Sequence, residues 1–246
     1  MKSHPRAPEA CYLIHSRPYR EHSLLLTLLS LEHGRVSAVC RSSAKTVNHT
    51  RAVLQPFTPL ECEFIAGHSE LLTLCSARPV GMIKEIPLPA VFSAQYVNEL
   101  IYWLYRDTEG SPEFFALYIK TIDGIGRGDE FMALRSFESG ILQVLGYAPD
   151  FGEQRFDPDE LYVYVPGSGF FEAQSGDFLK LSGRALNEVA AGKLNSPEAR
   201  SALKIVNHTA IAALLNGRKL HSRELYASFL KETENGQFLR PKKEGL

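Results

Sequence analysis

Cationic side chains concentrate near the N-terminus of this 246-residue chain, in residues 1–55. That stretch holds eight Lys and Arg residues against three Glu residues, a local net charge of +5 in a chain whose total is −1. A concentrated positive field attracts polyanions whatever the distant charges sum to. The cations are Lys2, Arg6, Arg17, Arg20, Arg35, Arg41, Lys45 and Arg51. Their chemistry is that of phosphate binding, with a merely solvated basic surface as the alternative.

An aromatic ring accompanies two of these cations. The run Arg17-Pro18-Tyr19-Arg20 places the ring between two guanidinium groups, and single-stranded nucleic acid is bound by this combination of charge and stacking surface. The remaining cations follow on a predicted strand and in the polar loop after it, RSSAKTVNHTR at 41–51. The predicted nucleic-acid-binding residues are Arg17, Tyr19, Arg20, Arg35, Arg41, Lys45 and Arg51.

Motifs of covalent catalysis are missing from the sequence. There is no G-x-S-x-G elbow, H-E-x-x-H helix or P-loop, and the glycines of GIGRG at 124–128 follow a predicted helix instead of a strand. The eight histidines are scattered, and the four cysteines form no C-x-x-C pair. We expect buried thiols and no metal or cofactor. The carboxylates of the predicted barrel also lack the motif of a metal-dependent nuclease, so we expect no enzymatic activity.

A predicted helix at 130–145 carries apolar side chains at helical spacing with cations beside them. An apolar helix face is most often part of a core. An apolar groove edged by cations can also capture a short acidic, hydrophobic peptide end, so both interpretations stand. The apolar residues are Phe131, Leu134, Phe137, Ile141, Leu142 and Leu145, and the cations are Arg127 and Arg135.

Short runs with period-two alternation fill the N-terminal part of the chain and predict strands at 11–15, 23–30, 35–41, 60–65 and 71–76. Five strands in so short a stretch suit a small closed barrel, either an OB-fold or an SH3-like barrel. The cationic residues then lie on the third strand and on loops beside the oligonucleotide-binding face of such a barrel.

Helical periodicity follows residue 80, where we place a domain boundary between 1–80 and 81–246. Ser111-Pro112-Glu113 and Ser196-Pro197-Glu198 each combine an N-cap serine, a proline at the first helical position and an early acid. Helices are predicted near 90–106, 112–123, 130–145, 183–191, 197–216 and 223–232. A β-hairpin near 156–173 interrupts them, with LYVYV and FF around PGSG. The predicted fold is α+β, a five-stranded barrel followed by a helical domain with an inserted hairpin.

No segment approaches the roughly 20 apolar residues of a membrane helix, and the N-terminus lacks the apolar block of a signal peptide. We therefore expect a cytoplasmic protein that does not contact membranes.

Seven short segments, taken in order, resemble the RecO family of bacterial recombination mediators over nearly the whole chain. They are HSRPYREHSLLL at 15–26, EHGRVSAV at 32–39, LQPFTP at 54–59, YVNEL at 96–100, LRSFE at 134–138, LGY at 145–147 and LHSREL at 220–225. Each is weak alone, but their order and spacing together are specific.

The resemblance implies an N-terminal OB-fold that binds single- and double-stranded DNA, a helical domain, and annealing of complementary strands near the nucleoid. It implies that the protein loads recombinase together with RecR and, in some members, also with RecF. It also implies binding to the acidic, hydrophobic C-terminal tail of single-stranded-DNA-binding protein (SSB), for which Arg127, Arg135, Phe137 and Leu142 become the candidate pocket.

Many members of that family hold zinc in a four-cysteine site around the hairpin. Cys75 is the last cysteine of this chain, so we expect the hairpin to be held by Tyr162, Tyr164 and Phe170 without zinc. The rival interpretation of the chain is a protein–protein scaffold whose barrel binds peptides and whose cations only solubilise it.

Overall fold

The computed structural model describes residues 7–41, 52–66, 71–81, 85–152 and 155–234. The chain forms two compact units, one of Met1–Glu130 with Lys219–Leu246 and the other of Phe131–Arg218. The predicted boundary near residue 80 falls just after the last strand of the barrel. Among the described residues, none of the helices has the length and apolarity that crossing a bilayer requires.

A closed five-stranded barrel forms the first part of the first unit. Its strands are β1 (Glu9–Pro18), β2 (Ser23–Ser30), β3 (Gly34–Arg41), β4 (Pro59–Ile65) and β5 (Leu72–Pro79). They run in the spatial order β1-β2-β3-β5-β4, β4 closes on β1, and β3 and β5 are parallel. This is the strand order of an OB-fold, so the structure confirms that alternative and not the SH3-like barrel.

Inward and outward side chains alternate along the strands, and the inward ones fill the interior of the barrel. On β3, Val36, Ala38 and Cys40 point inward and meet Leu26 and Leu28 of β2 in one apolar cluster. Residues between them point outward, because successive strand residues face opposite sides of a sheet. A β-bulge between Leu13 and His15 shifts the register of β1 against β2. After the bulge, Arg17 of β1 pairs with Leu25 of β2, and Ser16 pairs with the inward Leu26.

Beyond the barrel, the described part of the first unit includes the helices α1 (Ala90–Leu104), α2 (Pro112–Gly126) and, from the end of the chain, α6 (His221–Glu234). Asn98 of α1 donates from Nδ2 to the carbonyls of Leu13 and Ile14, both at 3.3 Å. The Tyr118 hydroxyl of α2 donates to Asn98 Oδ1 at 2.9 Å, and burial raises the pKa of this phenol, which stays a donor. These bonds hold α1 and α2 against the outer side of β1.

The turn between β2 and β3 approaches the loop between α1 and α2 closely. Gly34 has φ +58°, and a Cβ at this position would lie 2.4 Å from the carbonyl oxygen of Glu109. The next amide, that of Arg35, donates to the Asp107 carbonyl at 2.7 Å. Only glycine fits here without strain. The contact fixes β3 relative to the end of α1.

The second unit contains most of α3 (Glu130–Val144), then β6 (Leu161–Val165), β7 (Gly169–Glu172), β8 (Leu181–Ser182), α4 (Gly183–Ala190) and α5 (Pro197–Leu215). Strands β6 and β7 form the predicted hairpin, and the two-residue β8, which the sequence pattern did not predict, pairs with β6. Tyr162, Tyr164 and Phe170 pack on a cluster around Phe156 and Leu186, as predicted.

The predicted helix starts are confirmed in both units. Ser111 Oγ accepts from the amide of Phe114 at 3.2 Å, and Ser196 Oγ accepts from that of Ala199 at 3.0 Å. In each case proline occupies the start of the helix. The α+β fold predicted from the sequence is therefore confirmed.

Candidate nucleic-acid interface

Three predicted DNA-binding arginines lie on one outward face of the barrel. Arg17 of β1 stands opposite Leu25 of β2, and Leu25 stands opposite Val39 of β3. Directly opposed residues share a face of an antiparallel sheet. Arg35 and Arg41 flank the inward residues of β3 and so share this face as well. We call it the basic face; it comprises Arg17, Arg35 and Arg41, with Tyr19 and Arg20 in the turn at its end.

The basic face is extended along β3. Arg41 lies opposite Ser23, next to the turn that carries Tyr19 and Arg20, whereas Arg35 lies near the other end of the strand. At about 3.3 Å per residue, Arg35 and Arg41 are about 20 Å apart. That length corresponds to about six nucleotides of a B-form strand at about 3.4 Å each.

The charges of this face are available to an anion. Arg17, Arg20 and Arg41 are exposed, and among the described residues neither they nor Arg35 form an ion pair with a carboxylate. The opposite side of the barrel differs, because Arg78 of β5 lies 2.5 Å from the carboxylate of Glu61 on β4.

The turn between β1 and β2 presents a cation over a ring. Arg20 has a left-handed backbone with φ +53°, and its guanidinium carbon lies 5.2 Å from the centre of the Tyr19 ring. This separation is within the range of a cation–π contact. The turn closes through the Tyr19 amide, which donates to the Ser23 carbonyl at 2.8 Å. The aromatic-with-cation arrangement predicted here is present.

Arg35 is half-buried and tied to α1. Its Nη1 donates to the Tyr105 carbonyl at 3.1 Å, and its guanidinium carbon lies 5.5 Å from the Tyr102 ring centre. Burial, and then the charge of Arg106, lower the pKa of this guanidinium. The sequence pattern did not identify Tyr102 as a neighbour of this face. Four bulky apolar residues in succession, IYWL at 101–104, cover more than one face of a helix and were a usable signal.

Two predicted contacts, Lys45 and Arg51, lie outside the described residues. They stay predictions.

Three of the four residues predicted for a peptide pocket are buried in the structure. Phe137 and Leu142 have no exposed area, and the Arg135 side chain is 4% exposed. Arg127 belongs to the first unit and is exposed, and its guanidinium lies 2.6 Å from the Asp123 carboxylate. Within the described structure the apolar stripe of α3 is core, so of the two interpretations left open, the core one holds.

Arg135 has a structural role in the second unit. Its Nη2 donates to Glu138 Oε1 at 2.6 Å, one turn along α3, and Glu138 is fully buried. His208 of α5 lies 3.2 Å from the same carboxylate oxygen. Asn207 donates to Ser139 Oγ at 3.0 Å and ties α5 to α3 beside them. A guanidinium so engaged has little to offer an external peptide.

Histidine and carboxylate side chains of the described residues meet in pairs, such as His33 with Glu9 and His208 with Glu138. Within the ranges that the structure describes, no three His, Cys, Asp or Glu side chains converge as a metal site. Cys11, Cys40 and Cys62 are buried as predicted, but Cys75 is exposed, and for it the prediction of a buried thiol was wrong. Cys75 follows the inward Leu74 on β5, so the alternation of the strand places its side chain outward.

Comparison with known proteins gives consistent matches along the chain. The family described as "Recombination protein O N terminal" matches residues 7–83, and "Recombination protein O C terminal" matches residues 88–155. A protein of Marinobacter nauticus named DNA repair protein RecO is 36% identical over 231 residues, covering 89% of this chain and 93% of the relative. Proteins of the same name from Tolumonas auensis and Vibrio cholerae are 33% and 32% identical, each covering 89% of this chain and 94% and 92% of the relative.

Proposed function

The chain belongs to the RecO family of DNA repair and recombination proteins, and we propose that it binds single- and double-stranded DNA through its basic face. The observation that carries this proposal is the register that brings Arg17, Arg35 and Arg41 to one outward side of the barrel. Exposed guanidinium groups on one face can follow a phosphate backbone.

The proposed activity is annealing of complementary strands without covalent chemistry. Each strand repels its complement, and the basic face lowers that repulsion by neutralising phosphates while the bases pair. The protein is then not an enzyme. Incubation of labelled DNA with the protein and Mg²⁺ should leave the DNA intact; cleavage products would contradict this part of the proposal.

The salt dependence of binding tests the electrostatic account. If about four phosphates of a single strand are neutralised, a plot of log affinity against log salt concentration should have a slope of about −3. Fluorescence anisotropy of labelled DNA at several salt concentrations measures this slope. A protein–protein scaffold whose cations only solubilise it would show no such binding, so the titration separates the two functions.

We also propose that the protein acts on DNA coated with SSB and helps to load recombinase there, with RecR and in some settings RecF as partners. This proposal rests on the family. The test is strand annealing on DNA coated with full-length SSB or with SSB that lacks its C-terminal tail. Annealing with full-length SSB only would support the adaptor role, and equal annealing would count against it. Arg127→Glu is the variant to compare, because Arg127 is the exposed member of the predicted tail-binding set.

A further inference from the structure

A cleft of about 460 Å³ opens beside the basic face in the first unit. Its walls come from β1, from the segment before β4, from α1 and from the start of α6. Its volume is within the range of about 300–1,000 Å³ that is typical of ligand pockets. Residues of the cleft that matter here are His15, Phe57, Glu99, Tyr102, Trp103 and Leu225.

Three rings form a continuous series along one wall of this cleft. The His15 and Tyr102 rings have centroids 4.4 Å apart, and those of Tyr102 and Trp103 are 4.5 Å apart at an interplanar angle of 71°. Tyr102 and Trp103 are half-buried and His15 is exposed, so part of each ring faces solvent. We call these three residues the aromatic ladder.

The charge of the cleft does not favour a phosphate. Glu99 lines it, and the carboxylate of Glu99 is engaged by the first turn of α6, accepting from the amides of His221 at 2.9 Å and Ser222 at 2.8 Å. Burial, and then the charge of Arg17, lower the pKa of His15, which favours the uncharged ring. An uncharged flat group suits these walls better than an anion.

The basic face begins where the aromatic ladder ends. Arg17 lies two positions from His15 on the same side of β1, about 7 Å along the strand. The guanidinium carbon of Arg35 lies 5.5 Å from the centre of the Tyr102 ring. Cations for phosphates and rings for a flat uncharged group therefore adjoin one another, which is the combination that single-stranded nucleic acid requires.

We propose that this cleft takes an unpaired nucleobase of single-stranded DNA, stacked on the aromatic ladder while the adjoining phosphates lie on the basic face. The proposal rests on the DNA binding proposed above. A base within a duplex is already paired and stacked, and extruding it costs free energy. The cleft therefore gives single strands an extra contact that duplex DNA lacks.

Trp103 is the only tryptophan of the chain, and its fluorescence reports directly on this cleft. The experiment titrates the full chain with a fluorescein-labelled thymine oligonucleotide and, separately, with duplex DNA of equal length. Anisotropy of the label reports binding, and unlabelled DNA is used for Trp103 emission. We expect the single strand to quench Trp103 and the duplex to bind without comparable quenching. Binding of the single strand with unchanged Trp103 emission would overturn the stacking proposal and leave DNA binding intact.

A pair of variants at one position separates stacking from folding. Tyr102→Phe keeps the ring and Tyr102→Leu removes it while retaining an apolar side chain. We expect Tyr102→Leu to bind the single strand about 5- to 150-fold more weakly than Tyr102→Phe, and to lose less affinity for the duplex than for the single strand. The control is Phe178→Ala in the second unit, where the ring is 94% exposed. It should bind like the unaltered chain.

The outcomes distinguish the two proposals. Equal single-strand affinity of the Leu and Phe variants overturns the role of the aromatic ladder. Equal losses for single-strand and duplex DNA would mean that Tyr102 acts by positioning Arg35, and this too would overturn base stacking. Absence of any DNA binding by the unaltered chain would overturn both the proposed function and this inference.

Discussion

Arginines of the barrel and of helix α3 have opposite surroundings in this protein. Arg17 and Arg41 project from the basic face into water, whereas Arg135 of the second unit is almost fully buried against Glu138. The sequence made all three candidates for binding an external partner. An exposed guanidinium can exchange water for a phosphate, but a buried one is already committed to the carboxylate that compensates its desolvation. Burial therefore leaves the first pair accessible to a partner and gives Arg135 a structural role.

The largest expected effect comes from breaking the buried pair. Arg135→Met leaves the Glu138 carboxylate buried without its cation, and we expect the free energy of unfolding to fall by about 3–5 kcal/mol. Urea denaturation followed by circular dichroism measures the loss. The double variant Arg135→Met with Glu138→Leu should recover most of it, since an apolar pair carries no buried charge. A loss below about 1 kcal/mol for Arg135→Met alone would contradict the structural role.

The next effect concerns DNA and not folding. Replacing both Arg17 and Arg41 with alanine removes two cations, so the log–log salt slope for single-stranded DNA should become about 1.4 less negative. The free energy of unfolding should change by no more than about 0.5 kcal/mol per site, because both side chains are exposed.

The matched control for this pair is Arg78→Ala on the same barrel. Arg78 is exposed but lies against Glu61 on the side formed by β4 and β5. We expect its replacement to leave the salt slope unchanged. If the salt slope changed more for Arg78→Ala than for the Arg17 and Arg41 double variant, DNA would bind on the side formed by β4 and β5, and the proposed interface would be wrong.

A smaller effect should follow the titration of His15. Its pKa lies below the ordinary 6.5, so the ring takes up a proton only as the pH falls below that value. The added positive charge lies beside the basic face, and DNA affinity should rise as the pH falls. His15→Gln should flatten this dependence. Anisotropy titrations from neutral to mildly acidic pH test it, with His22→Gln as the control for a nearby exposed histidine.

The smallest effect is expected at Arg127. Its ion pair with Asp123 is at the surface, and pairs of this spacing on a helix contribute about 0.3–0.5 kcal/mol. Arg127→Ala should therefore lower the free energy of unfolding by less than about 1 kcal/mol, in the same urea experiment as Arg135→Met. Equal losses in the free energy of unfolding for Arg127→Ala and Arg135→Met would contradict the distinction between exposed and buried arginines.

Much of the fold could be predicted because its determinants are local. Inward residues alternate along β2 and β3, and the Ser-Pro starts at residues 111 and 196 are each complete within a few residues. Strand and helix bounds followed from these patterns to within a few residues. The two-residue strand β8 could not be predicted, since Leu181–Ser182 is too short to show any period and forms only by pairing with β6.

The candidate site was predictable in composition but not in arrangement. Positive charge in residues 1–55, five strands ahead of the helices and membership of the RecO family could all be read from the amino-acid sequence alone. Tertiary structure decided which arginines face outward together, that Arg135 is buried, and that His15 meets Tyr102 from a distant part of the chain. The reason is physical. Propensity and charge are properties of neighbouring residues, whereas register, burial and ring contacts arise only when distant segments exclude water from one another.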